Sequence, residues 1–407
     1  MKMKKWYKLD SVAKIFPPTS GKIDGRVFKL SCELYSDVNY KSLQKALNKT
    51  IKRFPRFLSV LKRGFFWYYF ENSKIVPKVL VEDCATCRQI YNSYKDELLF
   101  NVTYYKKRIN LNVYHALTDG MGGMMFFTEL ISNYLFLEHG VKITNIMDTS
   151  ENYNKMKLDK ELNTFKLENN NIKVYKIKGK TNYDGNMRII EAIMDSAKIK
   201  DIANSYDTTV TIFLLSLLIY SIIKTSNNRK KTVRIIVPVN LRKYFEVTTI
   251  NNFFATIYID YKMSDNITLI DIIKSVKKQF NTQLNKDYFI KQLSSYLWLE
   301  KNLIIRLIPR RIKDIILKLI STLFFKQTTC LSNLGVIKLD ENIKKYINLF
   351  SAVSSAKDLG LTICSYNNKL VISFASYFVK AKTEQFFIKS LTDMGSDIII
   401  NSNKGGD

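Results

Sequence analysis

His115 and Asp119 stand four positions apart in the run 112–129, NVYHALTDGMGGMMFFTE. Imidazole is the side chain whose unperturbed pKa suits proton transfer near neutrality, and the chain holds only two histidines, His115 and His139. A general base is therefore the first chemistry to consider at His115. A structural histidine capping a turn is the plainer alternative. Asp119 also has two readings: Asp-Gly is ordinary turn chemistry that can cap a following helix, or the carboxylate is buried against a cation. His139 precedes Gly140 at a helix end and reads as structural.

The elements around these residues follow from hydrophobic periodicity. Ile109, Leu111 and Val113 alternate as a strand, and beyond Met124 the residues Phe127, Leu130, Ile131, Tyr134 and Leu135 recur at helical spacing. His115 thus falls where a strand ends and a turn begins, a place from which a side chain can face a cleft. Upstream, the pattern predicts a strand over 26–35 and a helix over 40–53 with Leu43, Ala46, Leu47 and Ile51 on one face. A strand follows over LKRGFFWYYFEN, where Gly64 allows a turn or bulge, then a helix over 86–97. A hairpin with arms 98–105 and 109–115 leads into the motif.

Residues 141–185 are polar, rich in Asn, Lys and Glu, and without sustained period, which predicts a linker. The chain then starts again with a strand over 187–194 and a helix over 197–206. An apolar helix over 210–223, a strand over 234–242, a hairpin of LGLTICSY and KLVISFAS across Asn367-Asn368, and a helix over 383–394 follow. Both halves open with strand then helix. INLNVYHALTDG also aligns with KLVISFASYFVKA, so that Ile109 meets Leu370, Leu111 meets Ile372 and His115 meets Ser376. This repeat predicts two similar lobes, 1–150 and 186–407, joined by a linker over 151–185, with one site at their junction.

Bulk properties narrow the classes. The net charge of +28 reflects either a lysine-rich composition throughout or an anionic partner: nucleic acid, a membrane surface or a phosphorylated substrate. No helix-turn-helix, finger or RNA-binding signature accompanies the charge, so nucleic acid is not expected. Five cysteines suit reduced thiols, and the lone Cys84–Cys87 pair lacks the second pair that a zinc site needs. No metal is expected. MKMKKWYKLD leads into no apolar core and does not read as a signal peptide. The apolar run 210–223 falls short of the ~20 residues of a spanning helix and reads as a core helix.

HALTDG matches the HxxxDG part of HHxxxDG, the signature of the chloramphenicol acetyltransferase-like superfamily. That group includes alcohol acetyltransferases, wax ester synthases, polyketide-associated acyltransferases and condensation domains of nonribosomal peptide synthetases. LDSVAKIFP, FPRFLSVLKRGFFWYYFE, VPVNLRKYF with the following NNFF, and LSNLG are similar to segments of the bacterial alcohol acetyltransferase-like branch, in the expected order along almost the whole chain. No DFGWG motif is present, which argues against the plant branch. The resemblance implies an α/β (α+β) fold of two lobes, each a mixed sheet with packed helices, and an active-site tunnel at their interface.

Carried over residue by residue, the resemblance makes His115 the general base and Asp119 the motif aspartate that pairs with an arginine, for which Arg242 is the natural partner. Gly120 takes the place of the glycine that permits the tight turn. Tyr114 occupies the first histidine position, and Asn333 in LSNLG is expected to line the site, both as substrate-binding residues. The implied function is acyl transfer from a thioester to a hydroxyl, with no bound cofactor and with acyl-CoA, acetyl-CoA foremost, as co-substrate. Carrier-protein-dependent acylation or condensation, and a non-catalytic binding module of the same fold, are the alternatives. The expected setting is a cytoplasmic monomer acting on a hydroxyl-bearing small molecule or lipid, peripheral on the inner membrane face if 302–326 binds an anionic bilayer. In that stretch Pro309 divides two helices, and Ile312, Ile315, Ile316 and Leu319 share one face away from Arg310, Arg311, Asp314 and Lys318.

Overall fold

The computed structural model describes residues 6–83, 86–141, 172–182, 186–226, 230–324 and 326–403. Its first part contains β1 (Trp6–Lys8), α1 (Phe16–Thr19), β2 (Val27–Leu34), α2 (Tyr40–Arg53), β3 (Ser59–Arg63) and β4 (Tyr68–Asn72). Next come β5 (Val79–Val81), β6 (Phe100–Tyr105), β7 (Arg108–Tyr114) and α3 (Gly120–His139). The second part opens with β8 (Arg188–Asp195), α4 (Ser196–Ser205), α5 (Val210–Lys224), β9 (Thr232–Asn240), α6 (Arg242–Phe245) and β10 (Phe254–Lys262). It continues through α7 (Leu269–Gln283), α8 (Lys286–Lys301), α9 (Leu303–Leu307), α10 (Arg310–Phe324), β11 (Thr329–Val336) and β12 (Ile347–Ser354). The hairpin β13 (Leu359–Tyr366) and β14 (Lys369–Ser376), then α11 (Lys382–Asp393) and β15 (Ile398–Ser402), complete it.

These elements form a mixed α/β fold with three sheets. One has the order β12-β2-β7-β6-β5, a second β10-β9-β11-β13-β14-β8-β15, and a small third β1-β4-β3. The repeat is present in the topology. In the first sheet β6, β7 and β2 lie side by side and antiparallel, and in the second β13, β14 and β8 do the same. Tyr114 pairs with Val27, and Ala375, its counterpart under the sequence alignment, pairs with Ile189. Each opening strand feeds a helix, α2 or α4, and each hairpin feeds another, α3 or α11.

Local chemistry explains the helix bounds. Asn39 caps α2 by accepting from the N–H groups of Lys41 and Ser42, and the face carrying Leu43, Ala46, Leu47 and Ile51 is buried. Each such burial is worth roughly 1.5–3 kcal/mol for the larger side chains. α3 ends at Gly140, whose φ of +64° is the left-handed cap that glycine adopts without a Cβ clash. His139 stacks on Tyr346 with ring centroids 3.9 Å apart. α5 is buried on nearly every side, and no single helix among the described residues is long and apolar enough to cross a membrane.

Three features differ from the periodicity reading or extend it. Residues 86–97 form turns rather than a helix, because Cys87 adopts φ +56° and Asn92 turns its side chain onto the N–H of Tyr94. The aromatic run is two strands, β3 and β4, folded back at Gly64, whose N–H donates to the Trp67 carbonyl. The first sheet is closed by β12, which comes from far downstream and pairs with β2 through Phe350 and Cys32. Most of the predicted linker 151–185 lies outside the described residues, but Val174 bridges to Thr232 and Thr181 to Phe378 along the second lobe.

Candidate active site

His115 follows the last residue of β7, and its N–H donates to the Arg26 carbonyl. Its ring lies in an aromatic box. Phe16 of α1 stacks on it at 4.4 Å, Phe28 of β2 meets it edge-on at 5.3 Å, and Phe254 of β10 leans on it at 5.9 Å. Burial among these rings lowers the His115 pKa, while the Asp119 carboxylate pulls it upward. The imidazole is therefore neutral near pH 7.

Its tautomer is set by Asn252. The Asn252 amide nitrogen donates to Asp10 Oδ2 at 3.3 Å and to the Ala116 carbonyl at 3.4 Å, which turns Oδ1 towards His115 Nδ1 at 3.2 Å. An acceptor facing Nδ1 requires the proton there, so Nε2 carries the free lone pair. Asp10 is fixed in turn. It accepts from the N–H of Ala13 at 2.7 Å and from that of Asn252 at 3.2 Å, with Arg56 at 3.7 Å, and burial raises its pKa.

Asp119 fulfils both of its readings at once. Oδ1 accepts from the N–H of Gly122 and caps α3, while the same carboxylate pairs with Arg242 at 2.9 Å and 3.0 Å. The Phe253 N–H donates to it as well. Arg242 uses its remaining donors on the carbonyls of Thr249 and Asn251 and on Asn240 Oδ1. The pair thus pins the segment that carries Asn252 and Phe254 against the start of α3. Thr118 adds a third tie by donating to the Ile250 carbonyl.

The structure brings His115, Asp119 and Arg242 into one junction between the lobes and packs Tyr114 away from any cleft. Tyr114 is 0% exposed, stacks on Tyr91 at 5.1 Å, and has no surface facing a cleft. Its hydroxyl lies 2.9 Å from that of Ser20, which itself donates to the Phe16 carbonyl, so Tyr114 is the donor to Ser20. Tyr114 therefore holds the end of α1, whose Phe16 covers the imidazole. Asn333 donates to Thr211 and accepts from the Gly335 N–H. Its neighbour Leu334 is the residue that approaches α3: a Cβ on Gly120 would lie 2.9 Å from Leu334 Cδ2. Gly120 has no positive φ, so close packing rather than turn strain explains it. The tighter position is Gly122, where a Cβ would meet Thr118 Oγ1 at 2.1 Å and the Ile250 carbonyl at 2.6 Å.

Two cavities lie on the elements around the junction. A narrow one of about 20 Å³ is lined by Asp10, Asn252 and Phe254 and walled by Leu293, Tyr296 and Leu297 of α8. A broad one of about 700 Å³ lies where Trp6, Trp67, Tyr68 and Tyr69 meet Lys8, Lys14, Lys301 and Arg306. Consecutive residues Leu9 and Asp10, and one turn of α8, connect their walls. Sequence reasoning missed Asp10, Phe16, Asn252 and Phe254 as site residues. The signal was present, because all four lie in the family-like segments LDSVAKIFP and NNFF.

No protein-family model matches the chain, and no curated protein matches it in sequence. Solved structures do match. Polyketide synthase associated protein 5 from Mycobacterium tuberculosis aligns with a TM-score of 0.65 and 12% identity over 95% of this chain and 97% of its own. Trichothecene 15-O-acetyltransferase from Fusarium sporotrichioides aligns at 0.64 and 8% identity, covering 96% and 94%. The starter condensation domain of rhizomide synthetase, a mutant in complex with C8-CoA and Leu-SNAC, aligns at 0.65 and 10%, covering 96% and 94%. At these identities the likeness establishes the fold.

Proposed function

We propose that this chain, which has the two-lobed chloramphenicol acetyltransferase-like fold, is an O-acyltransferase with His115 as its general base. The observation that carries the reading is the imidazole itself: burial lowers its pKa, and Nδ1 faces the Asn252 side-chain oxygen, which leaves Nε2 as the unprotonated nitrogen. Nε2 takes the proton of an acceptor hydroxyl as the oxygen attacks a thioester carbonyl. The tetrahedral intermediate then expels the thiolate, which recovers the proton from the imidazolium, giving an ester and a free thiol. Asp119 and Arg242 hold the two lobes in register around that base, with Gly120 and Gly122 allowing the approach. Tyr114 positions Phe16 over the ring.

The broad cavity supports acyl-CoA as donor. Four cations among four aromatic rings suit the phosphates and the adenine of a coenzyme A thioester, with acetyl-CoA the first candidate. The C8-CoA complex of the rhizomide domain is consistent with this. The condensation-domain neighbours favour a second reading, in which the thioester arrives on the phosphopantetheine arm of a carrier protein. Thiol release from acetyl-CoA with a panel of alcohols separates the two: turnover with the free thioester supports the first, turnover only with an acylated carrier the second. Under the general-base reading His115→Ala costs on the order of 10²–10⁴ in turnover. A near-normal rate in a folded His115→Ala protein would remove it.

A further inference from the structure

The polarity of α10 is inverted. In α2 the apolar face is buried, but in α10 Ile312, Ile315, Ile316 and Leu319 are 50%, 61%, 40% and 56% exposed. They are spaced i, i+3, i+4 and i+7, so they form one outward stripe. The polar side is the one fastened to the protein. The Arg310 backbone N–H donates to the Phe65 carbonyl, and its guanidinium reaches the Gly64 carbonyl, the Tyr68 hydroxyl and Asp314. Lys313 donates to the Phe66 carbonyl and sits 3.6 Å over the Trp67 ring, while the Tyr68 hydroxyl donates to Asp314. Buried Lys313 and half-buried Arg310 and Asp314, with several partners each, fix the helix in this orientation, so the apolar stripe cannot roll inward without breaking them.

The exposed apolar surface extends beyond α10. Leu303, Ile304 and Leu307 of α9 are 70%, 76% and 71% exposed, and Phe65 on the adjoining β3–β4 turn is 73% exposed. Lys301, Arg306, Arg311, Lys318 and Lys326 are exposed on the same stretch. Arg311 and Lys318, seven positions apart, lie on one flank of the stripe. Across 301–322 the only carboxylate is Asp314, already bonded to Arg310 and Tyr68.

We propose that α9, α10 and the Phe65–Phe66 turn form a docking face for a lipid bilayer carrying anionic headgroups. The apolar stripe enters the interface and the flanking cations meet the headgroups. A second copy of this chain is disfavoured as the occupant, because a two-fold pairing would place the same five cations against each other. Lys301 and Arg306 belong both to this face and to the rim of the broad cavity, so a docked bilayer lies beside that opening.

Sedimentation with phosphatidylcholine vesicles, with and without phosphatidylglycerol, tests the proposal. The protein should partition strongly only onto the anionic vesicles. Arg311→Glu with Lys318→Glu should lower that partitioning by at least roughly tenfold, and Ile315→Asp with Leu319→Asp should abolish it. All four positions are exposed, so circular dichroism and melting should be unchanged. Equal binding to neutral vesicles, or unchanged binding by the Ile315→Asp and Leu319→Asp variant, would overturn the proposal. So would light scattering that shows a dimer which those same substitutions convert to a monomer.

Discussion

His115 Nδ1 and Asn252 Oδ1 face each other at 3.2 Å across the junction of the lobes, one from the end of β7 and the other from the segment before β10. The histidine is placed by the first lobe, and its tautomer is set by the second. Asp119 and Arg242 hold the same two segments together a few residues away, so the ion pair and the base are parts of one arrangement.

The first consequence concerns pH. Burial lowers the His115 pKa below its usual value near 6.5, and the neutral form is the base. The acidic limb of kcat/KM should therefore lie below that value, with activity falling as pH drops through the lowered pKa. Asn252→Ala removes the acceptor that favours the protonated ring and should move the limb to still lower pH. A pH–rate profile that does not shift in the variant would show that Asn252 does not act on this ring.

Asp119 and Arg242 have side chains only 6% and 10% exposed. Asp119→Asn leaves the guanidinium facing a neutral amide in a buried setting and should cost ~3–5 kcal/mol of stability. Denaturant unfolding measures it. Arg242→Met combined with Asp119→Asn should lose less than the sum of the single changes, because neither charge is then left alone.

Tyr114→Phe removes one buried hydroxyl donor to Ser20 and should cost about 1 kcal/mol in the same unfolding experiment. Its effect on catalysis should appear in kcat, through a looser Phe16 over the imidazole, with the acidic limb of the pH profile unmoved. A change confined to KM would instead mean that the side chain reaches substrate.

Gly120 and Gly122 should respond differently to alanine. A methyl group at 122 meets backbone, the Ile250 carbonyl, and should destabilise by roughly 1–3 kcal/mol. At 120 it meets the tip of Leu334, which can turn aside, so Gly120→Ala should be milder. Unfolding midpoints of the two variants decide the order.

Much of this organisation was legible in the residues. The strand before His115, the capped helix after Asp119 and the strand–helix repeat all follow from strong local periodicity, and α2 matches its predicted span. The turns over 86–97 were not legible, since a positive φ at Cys87 and a side-chain turn at Asn92 override an apparently helical composition. Asn252 and Asp10 escaped for another reason. Their importance arises from contacts across 137 and 242 positions of sequence, which no window of periodicity reaches. The outward stripe of α10 belongs to the same class. Amphipathicity shows that a helix has two faces, while only the partners of Arg310, Lys313 and Asp314 reveal which one is turned to the protein.

The strand β12 has a consequence for how the chain assembles. β2 lies between β7 and β12, and the β12 side stays open until residues 347–354 have been synthesised and have come back to it. Contacts of such long sequence separation are slow to form, and an unpaired edge is exposed in the meantime. The N-terminal half released alone would carry β2 as a free edge lined by Phe28, Leu30 and Cys32. Aggregation of a 1–150 fragment, relieved by supplying the C-terminal half in trans, is the signature this topology should leave during biosynthesis.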